Sequence, residues 1–360
     1  ILLIGSLNRS EAKVSPLRVW TIWGELNVAN NNLLWRKSFL VFILNATSVL
    51  AKSIMVCELE FKYSAQKPYF WSVKTSHSYP FFGPDGYDGL DALLQELAPS
   101  KTFLLVDSNT VNCLSVFVPK LANLDAAFEV LEVSPGEESK SLEIAANLWS
   151  VLLEYGADRN SLIINVGGGV VCDLGAFIAS TYKRGIPFVN VPTSLLAMVD
   201  ASVGGKNGIN FEGLKNQLGT FAQPNFVLVD PDFLASLPQK EWESGHAEML
   251  KHSLLSGTRW EELLALEPTA LTLNDIEQSV AFKAEIVRED FKENGKRKTL
   301  NLGHTTGHAW ESYSAASGNP CTHGAAVIQG LHVALILSGL QNEQSELAQR
   351  YPWQVVQEEA

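Results

Sequence analysis

One segment limits the folds open to this chain more than any other. From Ser161 to Val166 the residues SLIINV form an apolar run that leads straight into Gly167-Gly168-Gly169, and Val170 to Thr181 then reads as a helix. The same alternation recurs around it. Thr102 to Asp107 (TFLLVD) is an apolar run ending in Asp, the pattern of a buried strand, and Ala127 to Val133 is another. Glu143 to Glu154 carries Ile144, Leu148, Val151 and Leu152 at helical spacing. Phe188 to Val191 and Phe226 to Asp230 are further short strands. Strands that alternate with helices predict an α/β layer built on a parallel sheet. Beyond about Pro238 the strand signal fades, and 239–256, 259–268, 274–293, 303–317 and 323–340 read as helices. The expectation is an α/β N-terminal part followed by an α-helical C-terminal part, with the crevice between them the default place for a site.

Length supports that division, since 360 residues correspond to about two domains at ~150 residues each. The net charge of −12, from 27 basic and 39 acidic residues, repels phosphate backbones. It excludes a broad nucleic-acid-binding face and leaves room for a small basic pocket. Cys57, Cys113, Cys172 and Cys321 lie far apart with no CxxC pair. Neither a disulfide framework nor a cysteine zinc site is expected, and a reducing cytoplasm fits best. No run approaches the ~18–20 uninterrupted apolar residues of a membrane span, so no membrane partner is expected. The nearest, Ser38 to Ala51, follows Arg36 and Lys37 like a signal-peptide core. It starts too far from the N-terminus for that and reads as a buried helix or strand. Asn45-Ala46-Thr47 matches a glycosylation sequon, which has no meaning in a cytoplasmic protein. The first sixty or so residues lack clear periodicity and their first methionine is Met55, so they read as an extension foreign to the rest.

Three features could carry chemistry. Glycines at a strand-to-helix turn let backbone N–H groups approach a phosphate at a helix N-terminus. The run at 167–169 is not GxGxxG, and a tight turn without a ligand explains it equally well. The second feature is the histidines. Six of seven (His246, His252, His304, His308, His323, His332) fall in the C-terminal part, and only His77 lies outside it. His304 and His308 share a helix face, and His323 follows at a helix start. Glu248 lies in GHAEMLKH on another helix. Three imidazoles and a carboxylate suit Zn²⁺ or a similar borderline ion. Any one of these rings alone reads as a hydrogen-bonded structural residue. Third, polar side chains sit in small, apolar or glycine-rich surroundings: Asp200 and Lys206 around ASVGG, Lys215 and Asn216 after a glycine turn, Lys251, and Arg297, Asn301 and His304 at i, i+4 and i+7. Basic residues near a cleft in an acidic chain suggest an anionic substrate, against the alternative of solvated surface charges.

These stretches resemble the 3-dehydroquinate synthase family. The similarity is carried by PGEESK (135–140), GGGVVCDLGAFIASTYKRG (167–185), VPTSLLAMVDASVGGKNGIN (191–210), LKNQLGTF (214–221), SGHAEMLKH (244–252), RKTLNLGHTTGHAWE (297–311) and HGAAV (323–327), in that order over about 80–340. The resemblance implies an atypical extension at 1–66, a Rossmann-like NAD-binding domain at 67–237 and an α-helical metal-binding domain at 238–360. It implies NAD contacts at Asp107 and Asn109, where a carboxylate would meet ribose hydroxyls, and at Glu137 and Lys140. Gly168, Gly169 and Asp173 would line the pyrophosphate turn, with Thr193, Ser194, Lys206, Lys215 and the stretch from Phe233 to Ser236 completing the cofactor cleft. The implied ligands of a Zn or Co ion are Glu248, His304 and His323, with His308 facing the substrate phosphate instead. Asp200, Lys206, Asn216, Lys251, Lys283, Arg297 and Asn301 fall on substrate-contacting positions. Arg184 does so too, across a dimer interface, which implies a homodimer.

The implied reaction converts 3-deoxy-D-arabino-heptulosonate 7-phosphate to 3-dehydroquinate. NAD⁺ would oxidise the C5 hydroxyl held by the metal, phosphate would leave by β-elimination, and the hydride would return before ring opening and aldol closure. Asp200, Lys206, Asn216, Lys251 and His308 would be the catalytic set, and Lys283 and Arg297 would grip the C1 carboxylate. Three features depart from the family pattern. Cys172 replaces a glycine, Ala325 stands where HGEAV has a glutamate that supports the metal shell, and the chain ends at Ala360, short of a further lysine that contacts phosphate. Other readings are a cyclase making a deoxy-inosose or a valiolone, a polyol dehydrogenase that releases NADH, and an inactive truncated homologue.

Overall fold

The computed structural model describes residues 80–124 and 127–354. Apolar runs form strands β1 (Pro80–Phe82), β2 (Thr102–Asp107), β3 (Glu129–Val133), β4 (Leu162–Gly167) and β5 (Phe188–Pro192). A hairpin of β6 (Lys206–Phe211) and β7 (Leu214–Phe221) follows, and then β8 (Phe226–Val229). The main sheet has the order β1-β8-β5-β4-β2-β3, and every pairing in it is parallel. β2 and β4 are buried along their whole lengths, as strands covered on both faces must be. Successive β2 side chains enter different cores. Leu104 and Val106 pack on the side of Leu90 and Leu94, from helix α1 (Gly83–Leu97). Phe103 and Leu105 pack with Leu148 of helix α2 (Leu142–Glu154) and Phe177 of helix α3 (Gly169–Thr181). The strand period of two is therefore the reason that helices lie on both faces.

From Gln239 onward the described chain has no strand. It forms α4 (Gln239–Ser256), α5 (Trp260–Ala265), α6 (Leu273–Glu289), α7 (His304–Ala316), α8 (His323–Leu337) and α9 (Gln341–Arg350). Met249, Leu250, Val327 and Leu331 from these helices belong to the same core as Leu90 and Leu104. Glycines let α8 pack closely. A Cβ on Gly324 would stand 2.2 Å from Ser244 Cα in α4, and one on Gly330 would stand 1.8 Å from the Gly303 carbonyl oxygen before α7.

The structure adds elements that the sequence pattern did not announce: β1, α1, the β6–β7 hairpin and α9. It also puts the spaced residues Arg297, Asn301 and His304 on two different elements. Arg297 and Asn301 lie on a separate 3-10 segment, Lys296–Asn301, and Gly303 turns the chain through φ 78° before His304 begins α7. Their i, i+4, i+7 spacing is therefore not one helix face. Cys172 is buried in α3 and its thiol faces the Gly167 carbonyl. No helix of the described residues is long and apolar enough to cross a membrane. The expectations placed on Ser38–Ala51, Asn45, Cys57, His77 and the 1–66 extension lie outside the described residues.

Candidate active site

The carboxyl ends of β2, β4 and β5 and the loops that follow them carry the first half of the site, as expected for an open parallel sheet. β4 ends in the glycine turn. Gly168 is the N-cap of α3, and a Cβ there would come within 3.6 Å of Ser194 Oγ, just past β5. Thr193 is buried beside it, and its N–H donates to the Gly167 carbonyl at 3.0 Å. At the end of β2, Asp107 Oδ1 accepts N–H bonds from Asn109 (3.0 Å) and Thr110 (2.9 Å), so that oxygen shapes its own turn. Lys140 is the hub of the neighbouring loops. Its ammonium donates to Asp173 Oδ2 at 2.8 Å and to Asn216 Oδ1 at 2.7 Å, and it lies 3.7 Å from Glu137 Oε1. Asn210 ties this hub to the hairpin by donating to Glu137 Oε1 at 3.0 Å and accepting from the Asn216 N–H at 2.9 Å. Ser236 is exposed, whereas Phe233 places its side chain in the core, so only the Phe233 backbone is free to face a cofactor.

A π-helical turn at Ala197–Ala201 carries Asp200, a distortion found often at functional sites. Lys283 of α6 donates to Asp200 Oδ1 at 2.8 Å and also to the Asp200 carbonyl. Burial disfavours the Asp200 carboxylate, but the Lys283 ammonium outweighs it and holds the group below its usual range. The two glycines before Lys206 are needed for contact. Gly204 has φ +113°, and a Cβ there would meet the Arg297 guanidinium at 2.6 Å. Arg297 is 2% exposed and donates to the Phe291 carbonyl at 2.6 Å.

Three helices converge on the metal-ligand candidates. Glu248 of α4 is fully buried, and its Oε1 lies 3.2 Å from His323 Nε2 and 3.4 Å from His304 Nε2. Lys251, one helical turn on, pairs with the other carboxylate oxygen. Burial opposes ionisation of Glu248, yet Lys251, followed by His323 and His304, holds the carboxyl well below its ordinary value. Burial pushes the His304 imidazole down to about 4, so it is neutral near pH 7 and offers a lone pair. One donor atom from each of Glu248, His304 and His323 falls within 4.8 Å of the others. Two imidazoles and a buried carboxylate at this separation fit a divalent ion of the zinc or cobalt kind. His308 stands outside this trio, in a second group with Glu311 and His323. The helical spacing of His304 and His308 alone does not separate them, because the partner helices α4 and α8 decide which ring meets Glu248.

Two residues that the sequence reading passed over join the site. Glu293 accepts from Lys206 at 2.5 Å and from Asn301 Nδ2 at 3.0 Å, and Glu311 accepts from Lys215 at 2.8 Å. Glu311 sat at the end of a motif that was read for its histidines. Glu293 closed the stretch 274–293 that reads as a helix, whereas the helix ends at Glu289 and leaves Glu293 in the turn beyond it. Arg184 is not gathered in. It is exposed on the turn after α3, at φ 72°, about 20 Å along that helix from the glycine turn.

The chain matches two family models, 3-dehydroquinate synthase N-terminal over residues 130–244 and 3-dehydroquinate synthase C-terminal over 245–358. It is 43% identical over 254 residues to a 3-dehydroquinate synthase of Parabacteroides distasonis, covering 69% of this chain and 72% of that protein. A 3-dehydroquinate synthase of Pyrococcus abyssi is 40% identical over 250 residues, with 68% and 73% covered. In fold the chain is similar to a 2-deoxy-scyllo-inosose synthase solved with carbaglucose-6-phosphate, NAD⁺ and Co²⁺, with a TM-score of 0.65, 24% identity and 76% and 79% of the two chains covered. It is likewise similar to the 2-epi-5-epi-valiolone synthase of Streptomyces hygroscopicus with NAD⁺ and Zn²⁺ bound, with a TM-score of 0.62, 24% identity and 82% and 84% covered. The order of the motifs, the parallel sheet with its helical C-terminal part, and the identity to these relatives agree: the chain belongs to the 3-dehydroquinate synthase family.

Proposed function

We propose that this chain is a 3-dehydroquinate synthase, a lyase that converts 3-deoxy-D-arabino-heptulosonate 7-phosphate to 3-dehydroquinate and phosphate. The observation that carries the reading is the convergence of Glu248, His304 and His323 beside a run of buried cations, in a chain of this family. When bound, NAD and a Zn or Co ion would supply reversible oxidation at the substrate's C5 and Lewis-acid polarisation of its hydroxyl. Glu248, His304 and His323 would hold the metal. Asp107, Asn109, Glu137, Lys140, Gly168, Gly169, Asp173, Thr193, Ser194 and Lys215 would hold the dinucleotide.

The remaining side chains sort by charge. Arg297 and Lys283 are buried cations, suited to a carboxylate that must leave water. Lys206, Asn216, Asn301 and His308 offer donors at the solvent-facing side, suited to the phosphate. Asp200 and Lys251 lie against the metal candidates and would orient the ring hydroxyls. Arg184 would contribute only from a second copy of the chain.

The carboxylate contact separates this reading from a cyclase acting on neutral sugar phosphates. The purified protein should release phosphate from the heptulosonate phosphate, and not from glucose 6-phosphate or sedoheptulose 7-phosphate. Arg297→Lys, which keeps the charge but loses the planar fork, should raise KM for the heptulosonate phosphate by about tenfold. Turnover of either uncarboxylated sugar at a comparable rate would refute the assignment.

A further inference from the structure

One of the protein's own carboxylates already sits on two donors of the proposed phosphate end. Glu293 lies on the turn between α6 and the 3-10 segment, at φ 58°, a conformation that side-chain-bearing residues rarely adopt. Its Oε2 accepts from Lys206 at 2.5 Å and its Oε1 from Asn301 Nδ2 at 3.0 Å. The turn is pinned at its root, where the Asp290 carboxylate accepts N–H bonds from Asn294, Gly295 and Arg297 at 2.8, 2.7 and 3.0 Å. Next to Glu293 in this turn, the Phe291 ring packs edge-on against Phe221 of β7, with centroids 5.7 Å apart. The backbone therefore presents the Glu293 side chain to Lys206.

The Lys206–Glu293 pair is open, as Lys215–Glu311 is, and so differs from the buried pair beside the metal-ligand candidates. Lys251 and Glu248 are 1% and 0% exposed, whereas Lys206 and Glu293 are 44% and 21% exposed. An open pair contributes at most about 1 kcal/mol and is replaceable by a better partner. A phosphate dianion, with more charge and three acceptor oxygens, is such a partner.

We propose that Glu293 is a displaceable carboxylate, which occupies Lys206 and Asn301 in the ligand-free protein and is driven off them by the substrate's phosphate. The proposal rests on the reading of Lys206 and Asn301 as phosphate contacts. Glu293 is then a positioning and selecting residue rather than a catalytic one. It keeps the two donors oriented, sets a threshold that a hydroxyl cannot pass, and returns to them as inorganic phosphate departs.

The test uses the metal- and NAD-loaded protein, with inorganic phosphate as probe. Phosphate binding is measured by calorimetry, and KM and kcat by formation of the carbocyclic product. Glu293→Gln keeps the shape and removes the charge. It should tighten phosphate binding and lower KM by about three- to ten-fold, with kcat within about three-fold. Glu289→Gln, which removes a carboxylate paired with Lys296 in the same region, should change neither. Unchanged or weaker phosphate binding in Glu293→Gln, or a large loss of kcat at constant KM, would overturn the proposal. Lys206→Met separates the two layers of the argument. If it weakens phosphate binding while Glu293→Gln brings no gain, displacement alone fails. If the wild-type protein binds no phosphate and Lys206→Met changes nothing, the phosphate reading fails and takes the proposal with it.

Discussion

Glu248 concentrates the residue-scale argument. Its carboxylate is fully buried, lies between two imidazoles and pairs with a lysine that is itself 1% exposed. Glu248→Gln should cut metal content and reduce phosphate release at least about 100-fold, since it removes the only charge among three ligands. Glu248→Ala should also destabilise the fold by about 3–5 kcal/mol, because Lys251 would be buried without a partner. Metal analysis after gel filtration and denaturant melts check the two effects separately. Buried histidines away from the cleft make a pH prediction. His332 is 0% exposed, and burial lowers its pKa. His246 is equally buried, and burial lowers its pKa to about 4. For both, the unfolded state binds the proton first as pH falls. Stability should hold above pH ~6.5 and decline below it, for His246 by about 3 kcal/mol down to its folded value near 4. His332→Gln should flatten that decline in thermal melts from pH 7 to 5. Single residues were only partly legible in the sequence. Histidine clustering pointed to helices that the structure brings together, but spacing along α7 could not tell His304 from His308. That choice is made by Glu248 and His323, which lie 56 and 19 residues from His304.

At the scale of elements, helix packing sets where the ligands stand. His323 opens α8 and His304 opens α7, and each start is fixed by a glycine in close contact with backbone: Gly324 against Ser244, and Gly330 against Gly303. Gly330→Ala should therefore act at a distance. Its new methyl would push on Gly303 and shift His304 without touching a ligand. We expect about 1–3 kcal/mol of destabilisation together with weaker metal retention, measured by melting and by competition with a chelator. Loss of stability with unchanged metal affinity would show that the contact is only packing. The elements legible from sequence were β2 to β5, β8 and helices α2 to α8, whereas α1 was passed over although it buries Leu90, Leu93 and Leu94. Two others that were missed face water. The strand Leu214–Phe221 is exposed or half-exposed throughout, and α9 is a polar helix with Leu347 as its buried anchor. They are tied to residues far away in sequence: Lys140 donates to Asn216 of the strand, and the Trp260 indole N–H donates to Glu346 of α9.

For the whole molecule, the sign of the charge matters. A chain of net −12 collects Lys140, Lys206, Lys215, Lys251, Lys283 and Arg297 in one cleft. Much of that charge is matched internally by Asp173, Glu293, Glu311, Glu248 and Asp200. The proposed anionic substrate would therefore meet a locally compensated set of cations inside a repulsive surface. Raising ionic strength from about 0.01 to 0.15 M, which shortens the Debye length from about 30 to 8 Å, should weaken both the outer repulsion and the open ion pairs while leaving the buried pairs intact. KM should change by less than about threefold over that range, whereas a nucleic-acid-type polyanion site would lose affinity steeply. The two-part architecture was legible because β-rich and helix-rich halves differ in period. The site was legible chiefly as motifs, since its charges come from many separate elements, such as Lys206 from β6, Lys251 from α4 and Lys283 from α6, whose mutual geometry depends on contacts distant in sequence. The most direct measurement follows phosphate release and NADH absorbance together in one reaction of the purified protein with the heptulosonate phosphate, NAD⁺ and Zn²⁺ or Co²⁺. The account predicts continuing phosphate release, no accumulation of NADH, loss of activity on chelation and recovery on adding metal. NADH that grows with turnover, or phosphate release that survives chelation, would contradict it.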